Sequence, residues 1–100
     1  MADPLPPVVE AVLDVVEAIP PGRVMSYGQI GALVGVGPRR VGNVMSTYGA
    51  LMPWWRVVRA DGRPAAGHEE RALEHFASER TALVAGGFRV DMSRARHCPT

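Results

Sequence analysis

The sequence contains no lysine, so arginine carries all of its permanent positive side-chain charge. It has one cysteine, Cys98, which excludes an internal disulfide and a zinc cluster built from cysteines. No apolar run approaches the roughly 20 residues that a membrane-spanning helix needs. The chain starts with an acidic, proline-rich segment that is unlike a secretory signal peptide. We therefore expect a cytoplasmic protein without a membrane partner, and a length of 100 residues indicates a single domain over residues 1–100.

Acidic residues are missing from a long central stretch of the chain. Residues 18–60 contain no aspartate or glutamate but five arginines, so this stretch carries a charge of +5 although the whole chain carries only +1. Guanidinium groups suit bidentate contacts with phosphates and base edges. The distribution favours a nucleic-acid-binding face. A solvated basic surface in an arginine-rich protein explains the charge about equally well.

Apolar spacing predicts a mostly α-helical domain with a small β component. Helical periodicity predicts a first long helix over residues 8–19 and a last one over residues 69–85. Strand-like segments are predicted at residues 53–59, which start with a proline, and at residues 88–91. Residues 91–100 are interpreted as a loose basic tail.

Two short helices are predicted between residues 27 and 47, joined by a glycine-containing turn. Ser26 and Gln29 form a capping-box pattern at the start of the first helix. Gly35 suits the left-handed position at its end, and Pro38 suits the first turn of the second helix. Together they predict a helix-turn-helix within a single winged-helix-turn-helix-like domain.

The second of these helices carries Arg39, Arg40 and Asn43 near its beginning. In DNA-binding helix-turn-helix motifs, the second helix enters a groove with its N-terminal residues against the nucleic acid. A plain helical hairpin without DNA binding is the alternative interpretation, and the charge pattern is what weighs against it.

Adjacent tryptophans, Trp54 and Trp55, follow a proline. They either anchor the core or form a wall against which a planar ligand such as a base stacks. The three histidines lack metal-ligand spacing and are interpreted as surface residues. Cys98 lacks a positioned base, so it is not predicted to be a nucleophile. We expect no metal and no cofactor.

Three segments, taken in order, resemble the O6-alkylguanine-DNA alkyltransferases. Residues 19–30 resemble the family's I-P-x-G-x-V-x-S/T-Y-G-x-I-A segment, residues 39–45 its R-x-V-G-x-A-M recognition helix, and residues 53–58 its P-C-H-R-V-V active site. The resemblance covers roughly residues 8 to 90. Each motif alone is weak, whereas three in the same order are specific.

The chief departure from that family lies at its reactive centre, where the nucleophilic cysteine aligns with Trp54 and the histidine with Trp55. Alkyl transfer needs a thiolate and a base, and indole supplies neither. Tryptophan in place of the cysteine is typical of the alkyltransferase-like proteins, which this chain resembles, although most of them keep the histidine. The resemblance implies a non-enzymatic protein that binds O6-alkylguanine in double-stranded DNA through the minor groove. It flips the damaged base into a pocket and flags it for nucleotide excision repair.

The resemblance also implies roles for single residues. Arg39 would fill the hole that the flipped base leaves, and Tyr27 would crowd the 3′ phosphate and promote flipping. The backbone carbonyls of Trp54 and Val57 would accept from the guanine amino group. The implied lesion-pocket residues are Tyr27, Met45, Trp54, Trp55 and Val57. The further implied DNA-binding residues are Ser26, Arg40, Gly42, Asn43 and Arg56.

Two other functions stay open from the sequence. One is a DNA alkyltransferase that uses an unorthodox acceptor, and the other is a helix-turn-helix protein that reads DNA sequence. Double-stranded DNA is the expected partner in each case, and the protein is expected to act as a monomer. Nucleotide excision repair proteins are expected partners only for the lesion-recognition function.

Overall fold

The computed structural model describes residues 5–99. Within that range the chain forms five α-helices, two short strands and two 3-10 turns. The helices are α1 (Pro7–Glu17), α2 (Tyr27–Val34), α3 (Pro38–Tyr48), α4 (Glu69–Glu79) and α5 (Met92–Ala95). The strands are β1 (Met25–Ser26) and β2 (Val57–Val58), and the 3-10 turns are Gly49–Leu51 and Trp54–Arg56. The prediction of a mostly helical, helix-turn-helix-like domain with a small sheet is confirmed.

The α2–α3 unit forms as the local sequence signals predict. The Gln29 amide donates to the Ser26 hydroxyl at 3.1 Å, which caps α2. Gly35 ends α2 in the left-handed region at φ +82°, and Pro38 opens α3. Gly31 lets the turn close tightly, because a Cβ there would lie 2.4 Å from the Val36 carbonyl oxygen. This turn sets α3 against α2.

Two apolar clusters divide the interior. The α1–α3 core is aliphatic and brings together α1, α2 and α3; its buried members are Val9, Val12, Val16, Ile19, Met25, Ile30, Val41, Val44 and Val57. The α4 core is centred on Phe76 and includes Val24, Val58, Ala72, Val90 and Ala95. The parallel pair β1–β2 lies between them, because Met25 and Val57 join the first core while Val58 joins the second.

The last long helix is shorter than predicted. It ends at Glu79 and not at residue 85, because Arg80 takes the left-handed conformation at φ +58° and the Thr81 amide turns back to the Phe76 carbonyl. The chain then folds back, and the Asp91 amide donates to the Ala82 carbonyl at 2.8 Å. In place of the predicted strand at 88–91 there is an isolated bridge between Leu83 and Val90.

The interpretation of residues 91–100 as a loose tail is wrong for the described residues up to 99. Asp91 caps α5 by accepting from the Ser93 amide at 3.1 Å. Ala95 is buried, and its carbonyl accepts from the Val24 amide at 3.0 Å. Local sequence could not show this pairing, because its two partners lie some 70 residues apart. No helix in residues 5–99 has the length and apolar character that crossing a membrane requires.

Candidate nucleic-acid interface

A cavity of about 430 Å³ opens beside α3, between that helix and the loop that precedes α4. It brings together four sequence-predicted residues from three separate segments, namely Tyr27, Gly42, Met45 and Trp54. The remaining lining residues are Ser46, Gly49, Ala50, Ala65, Ala66, His68 and Arg71. The walls therefore combine aromatic and small apolar groups with a few polar ones, as in sites for a flat organic ligand.

Tyr27 is placed at the cavity by the start of α2, directly after β1. Burial raises the pKa of its phenol, and the positive charge of Arg59 offsets only part of that rise. The phenol therefore stays protonated at neutral pH. It can donate a hydrogen bond to an anion without adding negative charge at the cavity edge.

Trp54 forms one wall of the cavity and is held between polar groups of α4 and the loop before it. The His68 ring lies 5.6 Å from the indole at a tilt of 56°, and the Arg71 guanidinium lies 5.6 Å from the ring centroid. An arginine over an indole face makes a favourable cation–π contact. The indole wall and the positive charge of Arg71 thus share the same cavity.

Trp55 does not line the cavity, contrary to the prediction that placed it in the pocket. Its indole stacks on the imidazole of His75, with centroids 3.7 Å apart and planes 5° apart. His75 also meets Trp54 edge-on at 5.7 Å. The interpretation of His75 as a surface residue is therefore wrong, because its ring is half-buried between the two tryptophans. Trp55 supports the wall from behind.

Arg56 is an internal anchor and not a free phosphate ligand, which contradicts its predicted role. Its side chain is 14% exposed and forms an ion pair with Glu79. The Arg56 Nη1 group also donates to the Ile19 carbonyl at 3.0 Å, and the Gly22 amide donates to Glu79 at 3.2 Å. These contacts join the segment after α1 to the Trp54–Arg56 turn and the end of α4.

One face of α4 follows the Trp54–Arg56 turn residue by residue. Arg71 lies over Trp54, His75 stacks on Trp55, and Glu79 pairs with Arg56. Positions four apart on a helix lie on the same face, so Arg71, His75 and Glu79 form one stripe along α4. This stripe can contact three consecutive residues of the turn without a bend in the helix. The stripe orients the wall of the cavity, and its spacing is visible in the sequence once the partner segment is known.

Val57 does not line the cavity either. Its side chain is 1% exposed and lies in the α1–α3 core. Its backbone pairs with that of Met25 in the small sheet. The role predicted for Val57 in the pocket depends on its backbone carbonyl and not on this buried side chain, so it stays a prediction.

The beginning of α3 is exposed and positively charged. Arg39, Arg40 and Asn43 are all exposed there. The N-cap residue Gly37 supplies no side-chain hydrogen bond, and the first turn holds no acidic residue. Free backbone N–H groups and the helix dipole favour an anion at such an end, and the two arginines strengthen the preference. Ser26, in contrast, uses its hydroxyl to cap α2.

Sequence reasoning missed His68 and Arg71 as cavity residues. Both lie around the start of α4, and no local pattern shows that the loop before this helix passes over Trp54. Among residues 5–99 there is no group of three or more histidine, cysteine, aspartate or glutamate side chains that could hold a metal ion.

A helix-turn-helix with an arginine-bearing second helix, placed beside an aromatic cavity, defines a DNA-binding domain. The family model described as the DNA-binding domain of 6-O-methylguanine DNA methyltransferase matches residues 7–81. The chain belongs to this family.

Curated relatives share part of the sequence. A DNA base-flipping protein of Escherichia coli is 30% identical over 92 residues, which cover 87% of this chain and 71% of the relative. A DNA base-flipping protein of Thermus thermophilus is 42% identical over 50 residues, which cover 48% of this chain. That alignment spans only 34% of the Thermus protein.

Solved structures share the fold over nearly the whole chain. The crystal structure of S. pombe Atl1 in complex with damaged DNA containing O6-carboxymethylguanine superposes with a TM-score of 0.79 at 24% identity, covering 92% of this chain and 95% of that one. A structure of S. pombe ATL in complex with DNA gives a TM-score of 0.75 at 26% identity, covering 91% and 94%. The fold class is therefore the same.

Proposed function

We propose that the protein recognises O6-alkylguanine in double-stranded DNA and does not transfer the alkyl group. The observation that carries the proposal is the place of Trp54, whose indole forms a cavity wall at the position where the resembling transferases have their cysteine. Cys98, the one thiol of the chain, is exposed near the C-terminal end and does not line the cavity. Support comes from relatives named DNA base-flipping proteins and from the likeness to Atl1 bound to damaged DNA.

The geometry accounts for how a base would be received. In the proposed complex α3 lies in the minor groove, with Arg39 and Arg40 at its exposed end. Arg39 occupies the space that the base leaves, and Tyr27 at the cavity edge faces the adjoining phosphate. Asn43 and Gly42 lie one turn further along the same helix, where close approach to the sugar–phosphate backbone is possible.

Contacts in the cavity offset part of the free energy that extruding a base from the duplex costs. Extruding a base costs a few kcal/mol, and less where the base pair is already weakened by damage. Stacking of a base on an aromatic side chain contributes about 1–3 kcal/mol. Trp54 can supply this term, and the methyl-sized side chains of Ala65 and Ala66 leave room for a substituent on the base. Stacking in the cavity therefore offsets part of the extrusion cost, and the remaining cost is smaller for a damaged base than for guanine.

Two consequences complete the proposal. We propose that the bound complex marks the lesion for nucleotide excision repair proteins. We also propose that the protein acts as a monomer in the cytoplasm, at the nucleoid when it is bound to DNA.

The proposal is tested by titrating two fluorescent duplexes of identical sequence at a stated salt concentration, one with a single O6-methylguanine and one with guanine. We expect clearly tighter binding of the modified duplex, with the methyl group still on the DNA afterwards. Mass spectrometry of protein and DNA after incubation checks the second point. Equal binding of both duplexes, or a methyl group found on the protein, would overturn the proposal.

A further inference from the structure

The C-terminal segment is hydrogen-bonded to Val24 and to the first turn of α2. The His97 amide donates to the Val24 carbonyl at 2.8 Å, and Arg96 bridges Val24 in parallel orientation. The Gln29 side-chain amide, in the first turn of α2, donates to the His97 carbonyl at 2.6 Å. Residues 95–97 therefore run beside β1 towards the turn that carries Tyr27.

This segment brings positive charge with it. Arg23, Arg94 and Arg96 are exposed, and the Arg23 guanidinium donates to the Arg94 carbonyl at 2.7 Å. None of the three forms a salt bridge within residues 5–99, where the ion pairs are Arg56–Glu79 and Arg63–Asp61. The carboxylate of Asp91, which caps α5, is the acid that interacts with Arg94. Three cations against one acid leave an excess of positive charge on the C-terminal arginine strip, as we name Arg23, Arg94 and Arg96.

The strip is within reach of DNA bound at the cavity. An extended chain rises about 3.3 Å per residue, so the four steps from Arg23 to Tyr27 span about 13 Å. B-DNA rises about 3.4 Å per base pair, and this distance corresponds to about four base pairs. The strip therefore lies within about four base pairs of the phosphate that Tyr27 is proposed to contact.

We infer that the C-terminal arginine strip is a second contact site for DNA phosphates, which extends the interface beyond α2 and α3. The two arginines at 94 and 96 lie outside residues 7–81, the part that matches the family domain. The inference rests on the proposed DNA binding. Because phosphate contacts carry no sequence or lesion information, the strip raises affinity for any duplex without changing the preference for damaged DNA.

The test compares the wild-type protein with two double variants, Arg94→Ala/Arg96→Ala and Arg94→Lys/Arg96→Lys. The probes are the guanine and O6-methylguanine duplexes, titrated at four or more salt concentrations. Each phosphate contact contributes about 0.9 to the slope of log K against log salt. We expect the magnitude of the slope to fall by about 2 in the alanine variant. Its affinity for both duplexes should fall by the same factor. The lysine variant should keep the wild-type slope, and thermal unfolding should be unchanged in both.

The outcomes separate this inference from the proposed function. An unchanged slope in the alanine variant would show that the strip does not contact DNA phosphates. It would leave the proposed lesion recognition unaffected. A slope lost equally in the alanine and lysine variants also overturns it, because the effect would then be structural. If the wild-type protein shows no preference for the modified duplex, the proposed function fails, and the slopes on the guanine duplex still decide the role of the strip.

Discussion

The part of the molecule built on α1, α2 and α3 and the part built on α4 are held together in different ways. In the first, aliphatic side chains from three consecutive helices form one core, and both ends of α2 and the start of α3 are set by residues within one turn of them. In the second, the contacts join distant segments: Arg56 with Glu79, Trp55 with His75, and Val24 with Ala95. The recognition helix thus rests on local order, whereas the cavity wall rests on long-range pairs.

This difference has a functional meaning. The α3 helix needs only a firm base, and apolar packing provides it. The Trp54 wall has to keep one orientation while it lines an open cavity, and the rings of Trp55 and His75 support it edge-on from behind. Gly62 shows how tight this part is, because a Cβ there would lie 2.2 Å from the Val90 carbonyl oxygen.

The largest effect is expected from breaking the ion pair behind the wall. Glu79→Ala leaves the 14%-exposed Arg56 side chain without its carboxylate partner. Loss of one partner of a buried pair costs about 3 kcal/mol of unfolding free energy. Chemical denaturation measures it, with Glu74→Ala, an exposed position on the same helix, as the matched control. Equal stability of the two variants would show that the long-range pair does not hold the α4 part together.

The next effect concerns the wall itself. Trp54→Ala removes the stacking surface, which should lower the preference for the O6-methylguanine duplex by about 1–3 kcal/mol, or roughly 5- to 150-fold. Trp55→Phe is the control, because phenylalanine can still stack on His75 and position 55 does not line the cavity. Competition titration of the two duplexes gives the preference. If Trp55→Phe loses as much preference as Trp54→Ala, the division between wall and support is wrong.

A smaller effect is expected in the locally determined part. Ser26→Ala removes the cap of α2 and should cost about 1 kcal/mol of unfolding free energy. Ser26→Asp keeps an acceptor for the Gln29 amide and should restore most of the stability. Thermal unfolding of the three proteins checks this. A loss much above that of Glu79→Ala would reverse the comparison between the two parts.

The smallest effect is a pH dependence in the α4 part. Burial raises the pKa of Glu79, but the hydrogen bonds from Arg56 and the Gly22 amide outweigh it, so the pKa lies below its ordinary value of 4.5. A carboxyl with a lowered folded-state pKa stabilises the protein above the unfolded pKa and loses that stabilisation as pH falls through the folded one. The stability gap between wild type and Glu79→Gln should therefore be constant above about pH 5 and narrow below it. A gap that stays constant from pH 6 down to pH 3 would contradict this account.

The same comparison explains which features the sequence could predict. The helix-turn-helix followed from Ser26, Gly35 and Pro38, because each acts within one turn of its own position. The segment motifs also grouped Tyr27, Met45 and Trp54, and all three line the same cavity.

The errors fall where distant segments meet. The sequence alone predicts Arg56 as a free cation, because it does not show that Glu79 lies beside it. It predicts His75 as a surface residue, because it does not show the stacking on Trp55. The C-terminal segment is predicted as a loose tail because its partner, Val24, lies far away in the sequence. No local pattern contains these pairings.

The central claim, that Trp54 receives the flipped base, is tested most directly by the emission of that tryptophan. In the Trp55→Phe variant Trp54 is the one remaining indole, and its fluorescence can be followed while either duplex is added. The account predicts that the O6-methylguanine duplex quenches the emission at saturation, because a base stacks on the ring, whereas the guanine duplex binds with little change. Equal emission changes at saturation with both duplexes would contradict it.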